Sequence, residues 1–235
     1  PSVATAVTKA PSNPPAPAVH WLEGTAPKAQ PGTTWGMPWP QGRLAKDTAF
    51  ALHTMAGAAV PVQSWPLAYW PDGTLKWTAH AIAADTPAAD EFEVVPGTPA
   101  ALGRALTGAE SPATLEIDTG VIQVRLGRSG PRLIQAIRRD GREIARDGRL
   151  VCLSEGHSDP EAPRTEEFEG TISKVIVEQS GPVRAVVKIE GSHVKPGIVQ
   201  SGPAPGWMPF VVRLYFYAGG DAVRMLHTII YNANE

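Results

Sequence analysis

Proline or glycine falls at about every fifth position, scattered along the whole chain: 24 Pro and 23 Gly among 235 residues. A helix interior tolerates neither residue well. No collagen-like period organises them, so short strands joined by tight turns remain as the architecture. A core is within reach, because 43% of the residues are hydrophobic and only 19% are charged. No apolar run reaches the ~18 residues with which a helix crosses a bilayer. A formal charge of −2 gives no global attraction to nucleic acid. The single cysteine, Cys152, rules out an intramolecular disulfide and any cysteine-built zinc site.

Patterning divides the chain into four stretches. Residues 1–18 lack aromatics and read as a flexible leader, of the kind left after removal of a secretory signal. Residues 19–95 hold six of the seven tryptophans, interrupted every few residues by Pro or Gly. Within them Trp70-Pro71-Asp72-Gly73 has the residue order of a tight turn, and Leu75, Trp77, Ala79 and Ala81 then alternate with polar residues as a strand does. A small β-barrel is expected there. Residues 96–113 read as a linker. From 114 to 235, about eight apolar alternations separated by turn signals such as Asp140-Gly141 and Asp147-Gly148 predict an antiparallel β-sandwich. Residues 211–217 read as a strand buried on both faces, and Val223, Met225, His227, Ile229 and Tyr231 share one face of the next. Leu226 and Ile230 lie on its other face, so an apolar patch is expected there, and the chain stops four residues later as if inside a longer protein. The fold class is all-β: a barrel followed by a sandwich.

Several chemistries lack their motifs. There is no phosphate-cradling glycine loop, no GxSxG elbow and no HExxH pair. Glu155, His157 and Asp159 alternate as three metal ligands could, yet a polar, proline-flanked loop of this kind is more simply solvated. Charge is segregated locally: eight arginines between 125 and 149 precede six acids between 155 and 169; an arginine-rich face could hold an anionic polymer, but mutual neutralisation or simply solvated turns is the favoured reading. Most of the six clustered tryptophans are expected in a core, with Trp207, in PAPGWMPF, the better candidate for an exposed, sugar-stacking ring. Three ionisable residues stand on strands: His193 at a strand end, His227 between Met225 and Ile229, and Arg213 among aromatic neighbours, where it needs a carboxylate or carbonyl partner.

The strings GMPWPQG, QSWPLAYWPDGTLKW, VRAVVKIEGSH, MPFVVRLYFYAG and VRMLHTIIY together resemble the rhamnogalacturonan exolyase-like family of polysaccharide lyases, from about residue 19 onward. The resemblance implies a barrel, a central sandwich and a helical toroid, of which the third lies beyond this sequence. It also implies β-elimination on a uronic-acid polymer in a secreted, pectin-degrading protein. That reaction needs a base of near-neutral pKa, an acid for the leaving oxygen, and positive charge to neutralise the substrate carboxylate. His193 and His227 are the positions carried over as catalytic. Lys188, Trp207 and Arg213 are the candidate substrate-binding residues. No cofactor motif is present, although the chemistry admits a divalent cation such as calcium. The expected partners are an anionic polysaccharide and a C-terminal catalytic domain or second chain, with neither nucleic acid nor membrane. A non-catalytic carbohydrate-binding or scaffold fragment and a sandwich hydrolase with paired carboxylates are the alternatives.

Overall fold

The structure, a computed structural model, describes residues 17–156, 164–196 and 207–232. Most of the leader and the His157–Asp159 part of the possible ligand trio lie outside the described residues. No helix occurs among those described, and the strands fall into four antiparallel sheets. The first unit contains β1 (Ala18–His20), β2 (Thr33–Pro38), β3 (Phe50–Thr54), β4 (Ala59–Val60), β5 (Gln63–Tyr69), β6 (Leu75–Ile82) and β7 (Glu91–Pro96). They form sheets ordered β1-β7-β3-β4 and β2-β6-β5, closed around Phe50, Leu52, Val60, Leu75, Ile82 and Val94. Pro38 and Pro66 are tolerated because β2 and β5 are the outer strands of the second sheet, where a missing N–H breaks no interior ladder. The turn from β5 to β6 follows the sequence reading. Gly73 N–H donates to Trp70 O at 2.9 Å with φ +83°, and the Asp72 carboxylate accepts from the Thr74 N–H and hydroxyl.

The second unit opens with β8 (Thr107–Glu110), β9 (Thr114–Asp118), β10 (Ile122–Gly127), β11 (Ile134–Arg139) and β12 (Arg142–Gly148), a meander in the order β12-β11-β10-β9-β8. Asp140 and Gly141 both have positive φ, as a two-residue hairpin requires. Asp147 also has positive φ, but it lies inside β12, just before the chain crosses to the other sheet. That sheet holds β13 (Val151–Gly156), β14 (Arg164–Ser180), β15 (Arg184–Val194), β16 (Trp207–Tyr217) and β17 (Arg224–Ile229), in sequence order. Leu115, Ile117, Val124 and Leu126 pack against Val187, Ile189, Val212, Leu214 and Phe216 between the sheets. Strand β16 is not buried on both faces as its composition suggested. Phe210, Val212, Leu214 and Phe216 are buried, whereas Val211, Arg213 and Tyr215 are half-exposed, because among the described residues no third layer covers the outer face.

Residues 96–113 are not all linker, since β8 lies within them and pairs with β9; among the described residues no barrel strand pairs with a sandwich strand, yet the two units are bound tightly. The even face of β6 (Thr78, His80, Ile82) points into the barrel, while Ala81 and, just past the strand, Ala83 meet Val183, Tyr217 and Ala218 of the sandwich. Small side chains let the backbones approach: Ala84 N–H donates to Ala218 O at 2.9 Å. Gly32, at φ +81°, lies so close to Tyr217 that an added Cβ would fall 2.2 Å from its ring. The Tyr217 hydroxyl meets that of Thr34 at 2.8 Å. Gln63 Oε1 accepts the backbone N–H groups of Val183 and Arg184 at 3.0 and 2.8 Å, and the Arg184 guanidinium covers the rings of Trp65 and Tyr215. Gln63→Ala leaves two N–H groups without their acceptor. It is expected to lower the unfolding free energy by about 2 kcal/mol in urea titration, with an unchanged strand-type dichroism spectrum.

His80 lies fully buried in the barrel, stacked on Trp35 and set edge-on to Phe50. Its Nδ1 meets Ser64 Oγ at 2.8 Å and its Nε2 meets Thr78 Oγ1 at 2.7 Å, which in turn accepts from Trp39 Nε1. Burial pushes its pKa down to about 4 from 6.5. Below pH 6.5 the unfolded chain therefore takes up a proton that the folded chain refuses. Stability falls by about 1.4 kcal/mol per pH unit from this group until pH 4 is reached. The His80 ring resonances are expected to stay in their neutral form down to about pH 4.5 in an NMR titration. A midpoint near 6.5 would contradict this account.

Candidate functional site

Residues from three adjacent strands, β15, β16 and β17, meet at one end of the β13–β17 sheet. In register, Ile189, Val212 and His227 lie side by side on the core face, and His193 lies opposite Trp207 past a bulge that follows Gly191. The Phe210 ring sits between the histidines, with its centroid 5.4 Å from His193 and 6.2 Å from His227. His193 is only 3% exposed, and its Nδ1 meets Met208 O at 2.7 Å. A carbonyl can only accept, so Nδ1 carries a proton and donates it to Met208 O. Met208 holds φ +46°, with its N–H donating to Asn232 Oδ1 at 2.8 Å. His227 is half-buried, and its Nε2 is shielded from solvent with no hydrogen-bond partner among the described residues. Burial, and secondarily the neighbouring His193, hold its pKa below the usual histidine value, so the ring is neutral at pH 7.

The sequence-derived residues separate into two groups. His193, Trp207 and His227 come together. Trp207 is the first residue of β16 rather than a free loop ring, half-buried and packed 4.3 Å from the Phe168 ring. Lys188 and Arg213 stand side by side on the opposite face of the sheet, where Glu178 and Glu190 neutralise them. Arg213 makes two hydrogen bonds to Glu178, at 2.8 and 3.0 Å, and so has the carboxylate partner its setting demanded. Those bonds hold the Glu178 carboxyl below its usual pKa and the guanidinium above its own. Sequence reasoning missed Phe168, and also Lys195, whose ammonium lies over the Phe168 ring and 3.1 Å from Glu166. Lys195 follows directly on the SHV of β15, so its nearness to His193 was the available signal. No group of three His, Cys, Asp or Glu side chains among the described residues is placed to hold a metal ion.

Among the described residues the segregated charges neutralise one another only in part. Arg149 pairs with Glu169 across the two segments, but Arg125 pairs with Glu116, Arg128 with Glu110 and Arg139 with Asp221. Arg132 and Arg146 find Asp147 and Glu143 within the arginine-rich segment itself, so most of the described partners lie outside the acidic segment.

Strand β17 closes one edge of the sheet and exposes large apolar side chains on both faces: Met225 and Ile229 beside His227, and Leu226 with Ile230 behind it. Tyr231, just beyond, is 71% exposed. The expected apolar patch is therefore present.

Such an arrangement, a small barrel seated on an antiparallel sandwich with a histidine pair at the sheet end, defines a two-unit all-β protein. Residues 15–97 match the PcRGLX-like N-terminal RIFT barrel domain and residues 106–235 the PcRGLX-like protein central beta sandwich domain. The chain thus belongs to the PcRGLX-like family and corresponds to the N-terminal and central portions of rhamnogalacturonan exolyase-like proteins. It is similar to the uncharacterized protein YetA of Bacillus subtilis (strain 168), with 38% identity over 213 residues. The match covers 89% of this chain and 24% of YetA, so the chain spans about a quarter of that relative's length.

Because the β17 side chains lie at the surface, Leu226→Thr and Tyr231→Ser are expected to change unfolding free energy by less than about 0.5 kcal/mol. Phe210→Ala, at the buried centre of the site, is expected to cost about 3–5 kcal/mol in the same urea titration.

Proposed function

We propose that this chain forms the barrel and sandwich of a secreted polysaccharide lyase that cleaves a rhamnogalacturonan-like, uronic-acid-containing polymer by β-elimination. The observation that carries the proposal is the convergence of His193 and His227 about the Phe210 ring, beside Trp207 and Lys195. A neutral imidazole is the form a base must have. It would take the proton from C5 of the uronate, the released electron pair would form the C4=C5 double bond, and the C4–O bond would break as the leaving oxygen receives a proton. His227, kept neutral by burial, is assigned as the base. His193, oriented through Met208, is its partner. The ion-paired Lys188 and Arg213 lie on the other face, so Lys195 is the cation better placed to meet the substrate carboxylate. The remainder of the longer polypeptide would close the cleft by docking on β17, where an apolar strip adjoins His227.

The second reading, a carbohydrate-binding or scaffold portion without chemistry of its own, is favoured by the neutralised Lys188–Arg213 cluster and by the burial of His193. The test uses the full-length protein with rhamnogalacturonan and follows the rise in absorbance near ~235 nm from the unsaturated uronate. His227→Ala and His193→Ala are each expected to slow that rise by about a hundredfold or more. The 235-residue chain alone is expected to give none. An unchanged rate in both variants removes the histidines from the reaction. No rise at all with the full-length protein supports the binding reading.

A further inference from the structure

The barrel has its own pocket, beside β5 and far in sequence from the histidine pair, of about 140 Å³. Phe50, Val62, Leu75 and Pro99 form its apolar wall, and Ser64, Thr78, Trp65 and Lys46 supply the rest. Its volume is a few times the ~30 Å³ that a water molecule takes in the liquid, which suits one ring and not an oligomer.

Hydrogen counting shows what the pocket offers. A neutral imidazole has one donor and one acceptor, and both nitrogens of His80 are engaged by hydroxyls. If Nε2 carried the proton, the Thr78 oxygen would accept from both His80 and Trp39, and its own hydrogen would be left without an acceptor at a site 1% exposed. A buried, unmade donor is costly. The other tautomer avoids this: Trp39 donates to Thr78, Thr78 donates to His80 Nε2, and His80 Nδ1–H donates to Ser64. The leftover hydrogen then belongs to Ser64, which is only half-buried and lines the pocket. The chain of four residues therefore ends in a hydroxyl donor on a residue that lines the pocket. The same tautomer removes the appearance of a Ser–His nucleophile, since Nδ1 is already protonated and cannot take the serine proton. At the pocket's rim Lys46 is exposed and has no ion-pair partner among the described residues. Trp65 offers a ring held from behind by Arg184.

We propose that this pocket is a second carbohydrate site, which holds a single hexuronate residue with its carboxylate toward Lys46 and a ring oxygen or hydroxyl accepting from Ser64. The choice of a sugar acid rests on the uronic-acid substrate proposed above; the donor, the cation and the size of the pocket do not. The test is an NMR titration of the 235-residue chain with sodium galacturonate, with galactose as the neutral control. It is read at the Trp65 indole N–H (assigned through Trp65→Phe) and at the His80 ring nitrogens. A saturable shift with galacturonate and a much weaker one with galactose are expected, with His80 protonated on Nδ1 throughout. Lys46→Ala, a surface substitution, is expected to weaken galacturonate binding about tenfold. Ser64→Ala is expected to weaken both sugars. The absence of a saturable shift, equal binding of galactose, unchanged binding by Lys46→Ala, or an Nε2-protonated His80 would each overturn the proposal. Elimination is not read in this titration, so sugar binding at the barrel and lyase activity of the full-length protein can fail separately.

Discussion

The molecule depends on one strand buried on both sides. Strand β6 gives Thr78, His80 and Ile82 to the barrel and places Ala81 against the sandwich, with Ala83 just beyond it. A strand in that position must be apolar or fully hydrogen-bonded on each face. Alanines meet the need outward, where Tyr217 and Ala218 approach closely. A histidine bonded at both nitrogens meets it inward. Gln63 on the neighbouring strand then bonds to the first residues of β15, so the barrel and the sheet bearing the histidine pair are fixed by adjacent contacts. The orientation of the site relative to the barrel is thus set by side chains no larger than they need to be.

Much of this was legible in the residues. Gly and Pro density excluded helices, Trp70–Gly73 formed the turn its order demanded, and the alternations of the second unit became strands packed on one core. The tryptophans were less legible. Only Trp39 is fully buried among the six, and Trp77 is 40% exposed. Trp21 and Trp35 pack part-buried against the barrel core that holds Trp39, and Trp65 packs against the contact with the sandwich, so most of the six belong to cores as expected without being enclosed by them. Two of them anchor their N–H groups on backbone carbonyls, Trp21 on Ala89 and Trp70 on Trp39. Composition told that large rings were present, but not which of them would keep an edge at the surface.

The candidate site shows the same boundary. A histidine on an apolar strand is visible in sequence, but the pairing of His193 with His227 depends on a bulge past Gly191 and on the order of three strands. The separation of Lys188 and Arg213 from that pair follows from parity. In β15 the even positions face outward, and Lys188 cannot share a face with Ile189. Their partner Glu178 lies on a third strand, a contact that no local pattern announces.

The edge position of β17 has a consequence for handling the molecule. Among the described residues no strand neighbours its outer side, and Met225, Leu226, Ile229 and Ile230 keep it apolar over a short span, with Arg224 as the charged residue at its start. An edge of this composition, without a proline or an inward-pointing charge to blunt it, is a template for strand addition by another molecule. Concentrated samples of the isolated chain will therefore self-associate through this edge, and a lysine introduced at Ile230 is the simplest way to keep them dispersed.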